Sequence, residues 1–162
     1  MNPYGDALVS AVCFAALLPA LLVAHNVADH WVQTNHQAVT KGLPGWTGRA
    51  ACAAHVATYT AVTAAVVVSV WWLFALPLAP AGVLTGQLVS AGTHYWADRG
   101  TPLAWLACLI GKHEYYALGA PRRGRDDNPS PCTGAYALDQ AWHWVWLAVA
   151  AAITALSAGG LG

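Results

Sequence analysis

Long apolar runs that close on paired imidazoles and carboxylates constrain this chain more than any other feature. The first runs from Ala7 to about Trp31 and ends in His25-Asn26-Val27-Ala28-Asp29-His30-Trp31-Val32-Gln33-Thr34. His25, Asp29 and Gln33 stand four apart, so on a helix they project from one face. The same spacing returns at His94-x-x-x-Asp98 and, inverted, at Asp139-x-x-x-His143, and His55 supplies one more imidazole. Four apolar segments thus each carry a histidine, and three of them add a carboxylate.

Runs of this length imply a bilayer. Apolar residues make up 57% of the 162 and charged residues only 9%, against about 25% charged in ordinary soluble domains. The expectation is a single all-α integral membrane domain, a four-transmembrane-helix bundle with spans at about 7–31, 50–76, 82–98 and 136–156. Pro19 is tolerated inside the first span. The β-branched stretch Ala61–Val70 lacks turn signals and continues the second span as a helix. Gln87, Ser90, Thr93 and His94 make the third span polar enough to face other helices rather than lipid. Leu103–Leu118 is too short to cross and reads as an additional interfacial or re-entrant helix. Polar segments 35–49 and 99–134 read as loops. No Lys or Arg precedes the first apolar run, so it reads as a retained span rather than a signal peptide. Cys13, Cys52, Cys108 and Cys132 form no C-x-x-C pair and no disulfide framework; the first three are expected to be packing residues.

The basic residues set the expected topology. All seven (Lys41, Arg49, Arg99, Lys112, Arg122, Arg123, Arg125) follow the first or the third span. By the positive-inside rule both long loops lie in the cytoplasm of a bacterial cell and both termini outside. In an up-down-up-down bundle the four histidine-bearing ends then share the cytoplasmic side at one depth. Net charge is zero, which gives no basis for a nucleic-acid partner.

Ionisable groups at membrane depth are costly and point to function. Imidazoles and carboxylates from several helices are the donor set of a divalent transition-metal site, zinc foremost. The expected ligands are His25, Asp29, His55, His94 and Asp98, with Asp139 and His143 as ligands or catalytic acid/base groups. Seven donors exceed the need of one tetrahedral ion and are compatible with two. Gln33, Tyr59 and Gln140 are expected to support the ligands from outside. Arg122, Arg123 and Arg125 are expected near an anionic group of the substrate, with a topology signal as their plainer role. His30, His36, His113 and Glu114 are expected at the surface. The leading function is a metal-dependent hydrolase acting on a lipid or phosphorylated substrate. The rival is a non-enzymatic scaffold or channel-like component in which the same residues hydrogen-bond between helices. A bundle this small is open to homo-oligomerisation.

The motifs also carry a resemblance. His25-x-x-Ala28-Asp29-x-x-x-Gln33-Thr34, Lys41, His55-x-x-x-Tyr59-Thr60 and Thr93-His94-Tyr95-Trp96-Ala97-Asp98-Arg99 resemble a group of small bacterial and phage integral membrane proteins of unknown function. Leu118–Pro121, Arg125–Ser130 and Gly134–His143 are similar to its actinobacterial branch, which implies a role alongside mobile elements. More distantly, the chain resembles membrane-bound metal-dependent hydrolases, which implies zinc phosphoesterase chemistry.

Overall fold

A computed structural model describes residues 3–121 and 132–158, and among these the chain is helical with no strand. Four long helices, α1 (Pro3–Val27), α3 (Gly45–Leu73), α4 (Pro80–Asp98) and α7 (Gly134–Leu156), form a ring in which α1 packs on α3, α3 on α4, α4 on α7 and α7 back on α1. Three short helices, α2 (Asn35–Thr40), α5 (Thr101–Leu109) and α6 (His113–Tyr116), gather at one end. Two stretches, Gly5–Val32 and Gly45–Leu73, are long and apolar enough to cross a membrane. Only 22% and 17% of their most apolar windows are buried, so most of that apolar surface faces outward.

The segment read as a loop after the first span contains a helix. Thr34 caps it: the hydroxyl accepts from the Gln37 amide at 3.2 Å, and the Gln37 side chain accepts from the Thr34 amide at 2.9 Å. This reciprocal capping box supports six residues of α2 in an otherwise polar stretch. The second long helix likewise begins at Gly45, five residues before the expected start. The stretch Leu103–Leu118 forms two short helices rather than one, parted at Gly111, whose φ of +70° glycine adopts without strain. Cys13 and Cys52 are buried as expected, whereas Cys108 is exposed.

Each long helix buries a stripe of residues four apart. On α1 it runs Cys13, Leu17, Leu21, His25; on α3, His55, Tyr59, Thr63, Val67; on α7, His143, Leu147, Ala151, Ala155. On α4 the stripe is Gly82, Gly86, Ser90, His94, Asp98. Chain direction alternates around the ring, so the four apolar or small ends meet at one pole and the four polar ends at the other. The apolar pole holds the core of Cys13, Leu17, Leu21, Val67, Leu147 and Ala151, closed by Leu76 and Leu78 from the α3–α4 turn.

The α4–α7 contact is the most extensive of the bundle, because glycines let the backbones approach. A methyl group on Gly86 would meet the Thr154 hydroxyl and lie 2.8 Å from the Ala150 carbonyl oxygen; one on Gly82 would meet Ser157. Gly92, on the same helix, has open space around it. Gly86→Ala is therefore expected to lower thermal stability in detergent by about 1–3 kcal/mol, while Gly92→Ala leaves the melting temperature unchanged or raises it. Equal losses in the two variants would show that α4 does not lie against α7 in this register.

Candidate metal centre

The polar ends of the four stripes converge. His25 and His55 are fully buried, His94 is 1% exposed, His143 3% and Asp98 7%. The α1 contribution continues past its last α-turn into a five-residue π turn, Ala28–Val32, closed by a bond from the Gln33 amide to the Ala28 carbonyl at 2.9 Å. Such wide turns sit frequently at functional sites. Asp29 lies in this turn and Gln33 caps it, so two of the residues spaced for an α-helical face are carried by a π turn instead.

Two imidazoles and two carboxylates meet at the centre. His55 Nε2 and His94 Nε2 are 3.0 Å apart. Asp98 Oδ2 lies 3.3 Å from the first and 3.2 Å from the second. Asp29 Oδ1 is 3.5 Å and 3.6 Å from the same two nitrogens. Donors held at the bond lengths of a tetrahedral zinc ion stand about 3.3–3.4 Å from one another; Asp29, His55 and His94 form a three-donor set of about that spacing, and Asp98 Oδ2 adjoins the same two nitrogens. A second grouping adjoins the first. His143 Nε2 is 3.5 Å from Asp139 Oδ1 and 3.9 Å from Asp98 Oδ1, so the two oxygens of Asp98 face different neighbours. His25, His94 and His143 form a third set of donors mutually within 4.8 Å.

The surrounding amides decide which way the ring lone pairs point. With the Gln33 carboxamide turned so that its nitrogen donates to the Asp29 carbonyl (3.2 Å), its oxygen accepts from Lys41 Nζ at 2.9 Å and from His55 Nδ1 at 3.2 Å. His55 Nε2 then presents a lone pair to Asp98, Asp29 and His94. His25 Nε2 donates to Gln140 Oε1 at 3.2 Å, which turns the Nδ1 lone pair toward Asp29 Oδ2 at 3.6 Å. Gln140 is oriented in turn by its bond to Asp139 Oδ2 at 3.4 Å. Among the described residues, five buried atoms here have no hydrogen-bond partner: His25 Nδ1, Asp29 Oδ1, His94 Nδ1, Asp98 Oδ2 and His143 Nε2. Lone pairs facing carboxylates repel, and buried polar atoms left unpaired cost about 1–3 kcal/mol each. A cation among them removes both penalties. The donor set fits a divalent transition metal.

Gln33, Tyr59 and Gln140 all lie beside the cluster. Gln33 and Gln140 orient ligands as described, and Tyr59 stacks on His94 at 3.9 Å between ring centroids while bonding Ser90 at 2.7 Å. Sequence reasoning missed Lys41 as part of the site. Its ammonium is 2.8 Å from Asp98 Oδ1, and Arg99 holds the Lys41 backbone by donating to its carbonyl and to that of Leu43. The isolated lysine after Gln33 was a readable signal that looked like topology alone. His30, exposed as expected, bonds Tyr136 through Nε2 at 3.1 Å. His36, His113 and Glu114 are exposed. Arg122, Arg123 and Arg125 lie outside the described residues.

The centre is reached through a cavity of about 400 Å³ lined by Asp29, Lys41, Asp98, Tyr116, Asp139 and Gln140 among others. Burial, and after it the Asp139 carboxylate, push the Tyr116 phenol pKa up, so Tyr116 remains a protonated donor at the rim. The chain matches no protein-family model, no curated protein and no solved structure.

Removing a group that orients a metal ligand typically weakens binding 10–100-fold. Gln33→Leu should lower affinity for zinc or cobalt by about that factor in chelator competition, with the fold intact. Gln87→Leu, which removes an acceptor of Thr63 remote from the centre, should leave metal affinity unchanged.

Proposed function

We propose that this protein is a four-span bundle of the bacterial cytoplasmic membrane that holds one or two divalent metal ions at its cytoplasmic end and hydrolyses a lipid or phosphorylated substrate there. The observation that carries the metal is the close set of His55, His94 and Asp29, with Asp98 Oδ2 beside both imidazoles and one buried oxygen of each carboxylate unpaired among the described residues. Membrane residence is supported by the apolar surface the bundle turns outward, including Leu8, Val12, Val23, Leu84, Leu88 and Val145. Both termini outside follows from the placement of the basic residues.

On this reading His55, His94, Asp29 and Asp98 hold the first ion. Asp98 shares its second oxygen with His143 and Asp139, the set that faces the cavity. An ion there supplies Lewis acidity toward an ester and activates water near neutral pH. Asp139, with 27% of its side chain exposed, can carry a proton between His143 and solvent. Lys41 neutralises part of the carboxylate charge and is positioned to meet an anionic group.

A second reading, helix glue without metal, is favoured by the hydrogen bonds that join helices elsewhere. Tyr59 meets Ser90, Thr63 meets Gln87 at 3.0 Å, and Trp142 donates to the Thr93 carbonyl at 3.1 Å. Those groups are paired, whereas Asp29 Oδ1 and Asp98 Oδ2 at the centre have no hydrogen-bond partner among the described residues, and this difference favours the metal.

Metal analysis of the detergent-purified protein decides between them. One or two equivalents of a transition metal are expected, lost in a His55→Ala/His94→Ala variant that stays folded. Asp139→Asn should keep the ion held by His55 and His94 and lower any metal-dependent phosphoester hydrolysis by about 10²-fold or more. A metal-free wild type beside an unfolded double variant would establish the glue reading.

A further inference from the structure

The cavity over the centre does not end at its polar rim. Tyr136 and Gln140 line it on one side and, on their other side, line a groove of about 550 Å³. That groove runs along the outer face of α7 past Leu118, Ala137, Ala141 and Trp144. Leu118 is 62% exposed and Trp144 51%, so the groove lies open on the apolar exterior. The hydrogen bond between His30 and Tyr136 stands where the two spaces join.

Charge and polarity differ sharply between the two compartments. The charged side chains of the cavity are three carboxylates (Asp29, Asp98, Asp139) and one ammonium (Lys41). Two negative charges remain, which repel an anion until a divalent cation offsets them. With the ion in place the pocket is neutral and offers an oxyanion both the ion and the Lys41 ammonium. Among the described residues, the groove walls, by contrast, bring no charged side chain. In a bilayer such a furrow is filled by hydrocarbon, because nothing else at that depth matches its surface.

We infer that the substrate is an amphiphile, a lipid with a phosphate-bearing head, whose head enters the cavity over Asp29, Asp98 and Asp139 while its tail lies in the groove of Leu118, Ala137, Ala141 and Trp144. This rests on the metal reading above, since without the ion the head has nothing to offset the carboxylates. It selects a lipid over a water-soluble phosphorylated compound.

The test is calorimetric titration of metal-loaded, full-length protein in a sterol-based detergent, which has no alkyl chain to compete for the groove. The probes are dodecyl phosphate and inorganic phosphate, with metal content read on the same samples. Each buried methylene is worth roughly fourfold in affinity. Dodecyl phosphate is expected to bind at least about tenfold tighter than phosphate. Ala141→Trp, which fills the groove, should abolish that advantage and leave phosphate binding unchanged. Ala137→Phe, one turn nearer the cavity, serves the same purpose should the tryptophan variant not fold. Equal affinities with metal bound, or an advantage that survives both variants, overturn the lipid inference and leave the metal centre standing. A protein that takes up no metal overturns the parent reading instead, and the lipid head loses its anchor with it.

Discussion

Everything at the polar end of the bundle depends on an electrostatic conflict: carboxylate oxygens and imidazole nitrogens packed against one another at a buried centre. Asp98 Oδ2 and Asp29 Oδ1 each stand within 3.6 Å of two imidazole nitrogens and have no hydrogen-bond donor. Removing one carboxylate from water costs several kcal/mol even after relaxation. Two of them beside ring nitrogens are stable only with positive charge in their midst. Lys41 supplies some of it on the outer oxygen of Asp98, while Oδ2, on the inner side, faces the ring nitrogens of His55 and His94.

That conflict is built by a simple geometric device. Residues four apart nearly repeat one direction on a helix, so each long helix carries a stripe that changes character along its length. On α4 the change runs from glycine through serine to histidine and aspartate. The small residues at one end draw α4 against α7, and the same stripe, continued, delivers His94 and Asp98 into the centre. Packing and site are therefore not separable on this helix. Closeness at Gly86 fixes the rotation that aims Asp98. Tyr59, stacked on His94 and bonded to Ser90, locks the third helix to the same rotation.

Much of the site was legible because four-residue spacing survives any helical context. His25/Asp29, His94/Asp98 and Asp139/His143 all appear as close pairs, and the alternation of chain direction was enough to place them at one end. Gln33, Tyr59 and Gln140 were readable as neighbours on the same faces. What remained hidden depended on tertiary contact. The capping box of Thr34 and Gln37 sits in a stretch whose glycines and lysine signalled a loop. The π turn at Asp29 has no composition of its own. Lys41 joins the site only because Arg99, distant in sequence, holds its backbone in place. The extent of membrane crossing was less legible than the site: α1 and α3 are apolar enough by themselves, whereas α4 and α7 carry the polar residues that the centre requires.

The coordination count bears on where chemistry could occur. Structural metal sites close their shell with protein donors, whereas catalytic sites keep a position open. Of the set Asp98, Asp139 and His143, the two carboxylates line the cavity, so on the proposed reading the reacting group belongs there. Asp98 also adjoins His55 and His94, and its outer oxygen is already held by the Lys41 ammonium at 2.8 Å. A second divalent ion and that ammonium compete for the same oxygen. On the proposed reading the protein carries, beside the site of His55 and His94, a position where the Lys41 ammonium stands in part for an ion. Occupancy of the open site is then set by how far Lys41 can turn to the Gln33 oxygen, which it already contacts.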